Sequence, residues 1–252
     1  MRSAENIFAV KKALSIMLSS GLLVFCLAGC SDYSTSEFMS RKSGGTENPR
    51  ENAVLYAGET IASSNFHVHH PSIAPLVRAY SQQYGVDWIL TLSVMRQESR
   101  FDDNAMSDKG AYGLMQLMPL TQLELAEKLD VDEAASPKNN LRAGIYHLKS
   151  LKKIFEKASP KDQTCLALAA YNCGLGRILD AQKIAEYMGN NPLKWESVRT
   201  ALVFLSRKYY TLHKKIWEEG VPSSGYFRDW RQTVTYVDEV MKHYDDYSLA
   251  MK

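Results

Sequence analysis

From about residue 72 onward, apolar positions recur at the three- and four-residue spacing of amphipathic helices, and short Gly, Pro, Asn and Asp stretches separate the segments. No alternating run is long enough to predict a strand. The pattern therefore predicts one all-α domain over residues 72–248, without an internal repeat. Within it, "WILTLSVMRQES" stands apart, because Trp88, Ile89, Leu90, Leu92, Val94 and Met95 point almost all round the axis; this is expected of a central buried helix, with Asp87 as its cap. Thr121 and Glu124 form a capping-box pattern ahead of "LELAEKL". Ser159, Pro160 and Asp162 predict a helix start ahead of "QTCLALAAYN", ending at Gly174, and the alanines of that segment let a neighbouring backbone come close. A last helix is predicted from about 227 to 247, with Trp230, Val234, Val237 and Met241 on one stripe. Tyr236 falls roughly 120° from the centre of that stripe, where its ring can pack while its hydroxyl reaches a groove.

The N-terminus follows a different pattern. Arg2, Lys11 and Lys12 precede "ALSIMLSSGLLVFCLAGC", an apolar run too short and too abruptly ended for a membrane span of about 20 residues. Residues 1–29 are expected to be an export signal. Residues 30–71 lack apolar periodicity and are rich in Ser, Thr, Asn, Gly and charge, as in "SRKSGGTENPRENA", which predicts a flexible tether. The "HVHH" at His67, Val68, His69 and His70 has no Cys- or Glu-rich company at ligand spacing and reads as solvated linker rather than as a metal site.

Composition narrows the class further. The 252 residues carry a formal charge of +2, with 45% hydrophobic and 23% charged residues, so a globular domain with a sizeable core is expected, and the basic excess of a nucleic-acid binder is missing. Cys26 would leave with the signal. Cys165 and Cys173 lie eight residues apart on one predicted helix, roughly 12 Å, beyond disulfide reach. They pair only if that helix ends early.

One residue raises a question of chemistry. Glu98 falls between Val94 and Met95 near the C-terminal end of the predicted buried helix, a carboxylate among apolar neighbours. Desolvation and the negative end of the helix dipole both disfavour its ionised form, which suits a proton donor. From helix position alone, a structural Glu paired with Arg78, Arg96 or Arg100 fits equally well. The next segment, "SDKGAYGLMQ", adds Gly110 and Gly113, which permit unusual backbone angles or close substrate approach, and Gln116, an amide able to orient a sugar or a carboxyl group. Asp102 and Asp103 are the nearest second carboxylates, and their polar loop is where turn-capping acids are common.

Taken together, "ESRFDDNAMSDKGAYGLMQLMP" resembles the first two motifs of the soluble-lytic-transglycosylase family, with its Glu-Ser pair and "GLMQ" box. "SPKNNLRAGIYHL" is similar to the next family segment through Pro137, Asn140, Gly144 and Tyr146, and "AAYNCGLGRI" to the Ala-Tyr-Asn box through Ala170, Tyr171 and Asn172. The fourth motif is matched by "QTVTYV" at Thr233, Tyr236 and Val237, although Gln232 stands where a glutamate is expected. The resemblance covers roughly residues 75–245. It implies a lysozyme-like helical fold of the goose-type kind and cleavage of the bond between N-acetylmuramic acid and N-acetylglucosamine in peptidoglycan.

In that chemistry the single glutamate, here Glu98, protonates the glycosidic oxygen. It then takes the proton of the sugar's own C6 hydroxyl, which closes onto C1 as a 1,6-anhydro end. The resemblance assigns glycan contacts to Ser99, Ser107, Met115, Gln116, Tyr171, Asn172 and Tyr236, and implies neither a metal nor an organic cofactor. Met115 and Met118 are also natural packing residues. "LAGC" resembles the lipobox of bacterial lipoproteins, which implies a mature chain beginning at a lipidated Cys30, with Ser31 favouring the outer over the inner membrane. A goose-type hydrolase and a non-catalytic glycan-binding lipoprotein are the alternatives.

Overall fold

The computed structural model describes residues 73–131 and 136–250. The signal, Cys30, the tether and the histidine cluster lie outside the described residues. The order of helices is α1 (Ala74–Tyr84), α2 (Trp88–Ser99), α3 (Pro119–Leu129), α4 (Pro137–Ile154), α5 (Pro160–Cys173), α6 (Leu175–Tyr187), α7 (Trp195–Leu202), α8 (Tyr210–Ile216) and α9 (Trp230–Ala250), with two short 3-10 turns, Val203–Leu205 and Arg207–Tyr209, ahead of α8. Two isolated bridges, Met106 with Tyr112 and Tyr112 with Leu117, are the only extended pairing among the described residues. The all-α expectation is met.

Two helices form the centre. α2 buries Leu90, Thr91, Leu92, Ser93, Val94 and Met95 in succession, as its all-round apolar pattern requires. α5 buries Cys165 through Ala170 without a break. Each large side chain so buried contributes about 1.5–3 kcal/mol. α9 packs along both α2 and α5, α4 lies against α1, α3 and α5, and α6 is held between α5 and α7. The small residues Ala167, Ala169 and Ala170, all buried, allow α5 to take this many neighbours. Cys165 and Cys173 are both free, since α5 runs unbroken through both positions.

Most caps follow their sequence signals. The Asp87 carboxylate accepts from the Ile89 N–H at 2.9 Å and the Ser159 hydroxyl from the Asp162 N–H at 3.2 Å, each satisfying an otherwise open first-turn donor. Two boundaries differ from expectation. α3 begins at Pro119, behind Met118, so Thr121 lies inside the first turn rather than capping it. Proline fixes the starting φ and has no N–H to satisfy, so it overrides the capping-box signal. α9 begins at Trp230 rather than near 227, because Phe227 is buried and its N–H is held by the Leu205 carbonyl at 3.0 Å, which keeps 227–229 in the preceding loop. Since α9 is covered by two helices, its buried face is broad: Thr233, Val234, Tyr236, Val237 and Val240 are buried, while Trp230 and Met241 sit at its edges.

Candidate active site

The α2 helix ends where Ser99 gives way to two consecutive left-handed residues, Arg100 at φ 53° and Phe101 at φ 69°. Non-glycine residues in this region cost of order 1 kcal/mol each, and they turn the chain sharply away from the helix axis. The Ser99 hydroxyl secures the turn: it lies 3.1 Å from the Met95 carbonyl and 3.0 Å from the Leu114 carbonyl, and accepts from the Phe101 N–H at 3.1 Å. Glu98, one residue earlier, is left pointing into a cleft.

That cleft has a volume of about 580 Å³ and is lined from four places: Glu98; the loop ahead of α3 with Ser107 and Gln116; the end of α5 with Tyr171 and Asn172, continuing to Arg177; and the segment leading into α9, from Tyr226 to Thr233. Although Glu98 keeps some exposure toward the cleft, its carboxyl is enclosed by protein. Burial raises its pKa from 4.5 to about 7, against the lowering influence of the Tyr236 hydroxyl, which donates to Oε1 at 2.6 Å. Arg96 instead directs its guanidinium to the Tyr247 hydroxyl at 3.2 Å, and Arg78 lies over the Trp88 ring at 4.0 Å. The structure thus leaves Glu98 a buried acid with a phenol partner. Tyr171 and Tyr236 both have pKa values raised by burial first and by the Glu98 charge second, so both remain protonated donors.

The "GLMQ" loop is held rigidly. Asn140, fully buried on α4, accepts from the Met115 N–H at 2.9 Å and donates to the Tyr112 carbonyl at 2.9 Å. Gly113, at φ 78°, lets the Asn140 amide come so close that a Cβ there would meet it at 2.7 Å. Gly144 does the same beneath Met115, whose Cβ would be 2.5 Å from an added methyl. From the other side, the Tyr171 hydroxyl donates to the Met115 carbonyl at 2.7 Å. Gln116 adopts φ 44° and lines the cleft, and its amide N–H groups donate to the Ala105 and Gly113 carbonyls at 2.9 and 3.0 Å, so its donors are spent within the loop. Asn172 accepts from the Thr233 hydroxyl at 2.9 Å, tying the end of α5 to α9.

Of the residues singled out from sequence, Glu98, Ser107, Gln116, Tyr171 and Asn172 line one cleft, with Tyr236 directly behind Glu98. Ser99 and Met115 do not line it. Ser99 spends its hydroxyl on the loop, and Met115 is fully buried over Gly144. Met118 does line the cleft, with 44% exposure. Asp102 and Asp103 lie outside the lining, where they accept from the backbone and side-chain N–H groups of Asn104 at 2.9 and 2.7 Å. Gln232 lines the cleft in place of the expected glutamate, and Asp229 lies one turn before it. Sequence reasoning missed Arg177, Tyr226, Phe227 and Arg228. Their signals were faint: an arginine just past the Ala-Tyr-Asn box, and two aromatics inside the turn-rich "VPSSGYFRDW".

Comparison with known proteins adds a family. A family model described as the transglycosylase SLT domain matches residues 75–193. The membrane-bound lytic murein transglycosylase F of Desulfosudis oleivorans is 34% identical over 177 residues, covering 69% of this chain and 36% of its own. Its counterpart in Hahella chejuensis is 31% identical over 195 residues, covering 77% and 36% respectively. The chain spans about a third of the length of these curated relatives. Among solved structures, an inactive mutant of the lytic transglycosylase Slt from Pseudomonas aeruginosa aligns at 25% identity and a TM-score of 0.44, over 74% of this chain and 26% of that one. The 70 kDa soluble lytic transglycosylase of Escherichia coli aligns at 23% identity and a TM-score of 0.44, over 68% and 23%.

Proposed function

Since this chain belongs to the transglycosylase SLT family, we propose that it is a peptidoglycan lytic transglycosylase, which cleaves the β-1,4 bond between N-acetylmuramic acid and N-acetylglucosamine and leaves 1,6-anhydro ends. The observation that carries this reading is a single enclosed glutamate with a pKa near 7 in an open cleft, backed by a phenol. At that pKa, both the acid and its conjugate base are well populated near neutrality, as a residue that acts first as acid and then as base requires.

Protonated Glu98 gives its proton to the glycosidic oxygen as the bond to C1 breaks, and the N-acetylglucosamine side leaves as an alcohol. The carboxylate so formed lies beside the oxocarbenium-like centre and is stabilised by the Tyr236 hydroxyl. It then takes the proton of the C6 hydroxyl as that oxygen bonds to C1, which restores the acid and consumes no water. A second carboxylate is unnecessary, since the nucleophile is held within the substrate and gains from proximity what a bound water would need a base to supply. Ser107, Gln116, Tyr171 and Asn172 are the proposed glycan contacts, with Ser99 and Met115 acting through the loop they hold.

For the remainder of the chain, the proposal is a signal over 1–29, acylation of Cys30, a tether over 30–71 and the catalytic domain over 72–248. The "LAGC" sequence, the names of the membrane-bound relatives and the Ser31 that follows the cysteine support a lipid anchor in the outer membrane, facing the periplasm. No helix among the described residues is long and apolar enough to cross a membrane. More than one acyl chain is needed for stable anchoring, at about 0.8 kcal/mol per buried methylene. Solubilisation of purified sacculi by the wild type and by Glu98→Gln tests the catalytic assignment. The variant is expected to lose at least the 10² to 10⁴-fold that acid-base catalysis contributes, and near-normal release of soluble fragments would refute the role of Glu98.

A further inference from the structure

The segment between α8 and α9 closes one part of the cleft, and it is built to hold a ring still in the open. Tyr226 lines the cleft and remains 37% exposed, more than either of the other lining aromatics, Tyr171 and Phe227. Its backbone is secured on both sides. The buried Asp180 carboxylate accepts from the Ser223 and Ser224 N–H groups at 3.2 and 2.7 Å, and the Phe227 N–H is held by the Leu205 carbonyl at 3.0 Å. The ring itself rests on His213, with centroids 5.6 Å apart and planes inclined by 37°. His213 is fully buried, and its Nε2 lies 2.6 Å from the Phe204 carbonyl, so Nε2 carries the proton and fixes the orientation of the imidazole.

An aromatic residue on so well anchored a segment is poorly explained by packing alone, since Tyr226 remains 37% exposed. A hexosamine ring, by contrast, has an apolar C–H face and a rim of hydroxyls, and so matches a fixed aromatic plane bordered by hydrogen-bonding side chains. Arg228, Asp229 and Gln232 in the same lining provide that border. We propose that Tyr226 is a sugar-stacking platform that fixes where a glycan strand sits relative to Glu98, with His213 as the residue that positions it. This rests on the glycan-cleaving reading of the cleft.

The test uses the full chain carrying Glu98→Gln, so that strands bind without being cut, and peptide-free glycan strands prepared from peptidoglycan as the probe in calorimetric titration. Adding Tyr226→Ala is expected to weaken binding about tenfold, the size of a stacking contribution. Tyr226→Leu, which keeps bulk over His213 but lacks a flat face, is expected to weaken it similarly, and Tyr226→Phe to leave it nearly unchanged. In the active enzyme Tyr226→Leu is expected to raise KM with little change in kcat, a split that a general loss of folding would not produce. Binding by the Tyr226→Ala and Tyr226→Leu chains as tight as that of Glu98→Gln alone overturns the platform while leaving the glycan reading intact. Absence of any strand binding by Glu98→Gln itself overturns both.

Discussion

The Tyr236 hydroxyl on α9 donates to Glu98 Oε1 on α2 at 2.6 Å, joining the last helix to the second behind the cleft. This bond favours the ionised carboxylate and opposes the larger effect of burial. Its removal in Tyr236→Phe is therefore expected to raise the Glu98 pKa above about 7 and to move the alkaline fall of the rate to higher pH. At the same time the carboxylate formed during bond cleavage loses its donor, so kcat is expected to drop by about tenfold or more, with a stability cost of about 1 kcal/mol. A kcat profile against pH measures both, and an unmoved alkaline limb would show that the phenol does not tune the acid.

The same buried acid has a signature in stability. Its pKa is raised on folding from 4.5 to about 7, so below pH 4.5 the carboxyl is neutral in both states and costs nothing. Between those values the unfolded chain releases the proton and the folded chain keeps it, so stability falls as pH rises and levels off above about 7. Glu98→Gln removes this dependence while keeping an acceptor for Tyr236. The variant is expected to be more stable than the wild type by on the order of 3 kcal/mol at pH 8, with the gap closing toward pH 4. Denaturant titrations at the two pH values check this.

The "GLMQ" loop gives a third prediction. Asn140→Ala strands the buried Met115 N–H and removes one of two donors from the Tyr112 carbonyl, which keeps the Leu117 N–H at 3.2 Å, at a cost of about 1–3 kcal/mol. Gly144→Ala forces a methyl into Met115 Cβ and is expected to cost about 1–3 kcal/mol. Because both changes loosen the loop that carries Gln116, each is expected to raise KM for glycan as well as lower the melting temperature, although neither residue faces the cleft. Thermal unfolding beside steady-state kinetics separates the two effects.

Much of the fold could be read from local pattern. The all-round apolar spacing of α2, its Asp87 cap and the Ser159 start of α5 each have a cause within a few residues, and each appears where its signal lies. For Glu98 the local pattern placed a carboxylate among apolar neighbours but fitted a structural Glu paired with Arg78, Arg96 or Arg100 equally well; only the fold shows its Tyr236 partner. What local pattern could not convey was direction. Ser99 adjoins Glu98 and Met115 adjoins Gln116, yet the left-handed turn at Arg100 and Phe101 and the close approach over Gly144 direct both inward. Thr121 carried a valid capping signal that a proline two residues earlier overrode. Tyr226 reaches the cleft because Asp180 and Leu205, far away in the chain, hold the segment before α9 in place.

In the proposed reaction one glutamate suffices because the sugar's own hydroxyl replaces water. Digestion of sacculi by the full chain in heavy-oxygen water, followed by mass spectrometry of the released muropeptides, tests it directly. Muramyl ends one water lighter than hydrolysed ends, without heavy-oxygen label and abolished by Glu98→Gln, are expected; labelled reducing ends would identify a hydrolase and refute the anhydro-forming reaction.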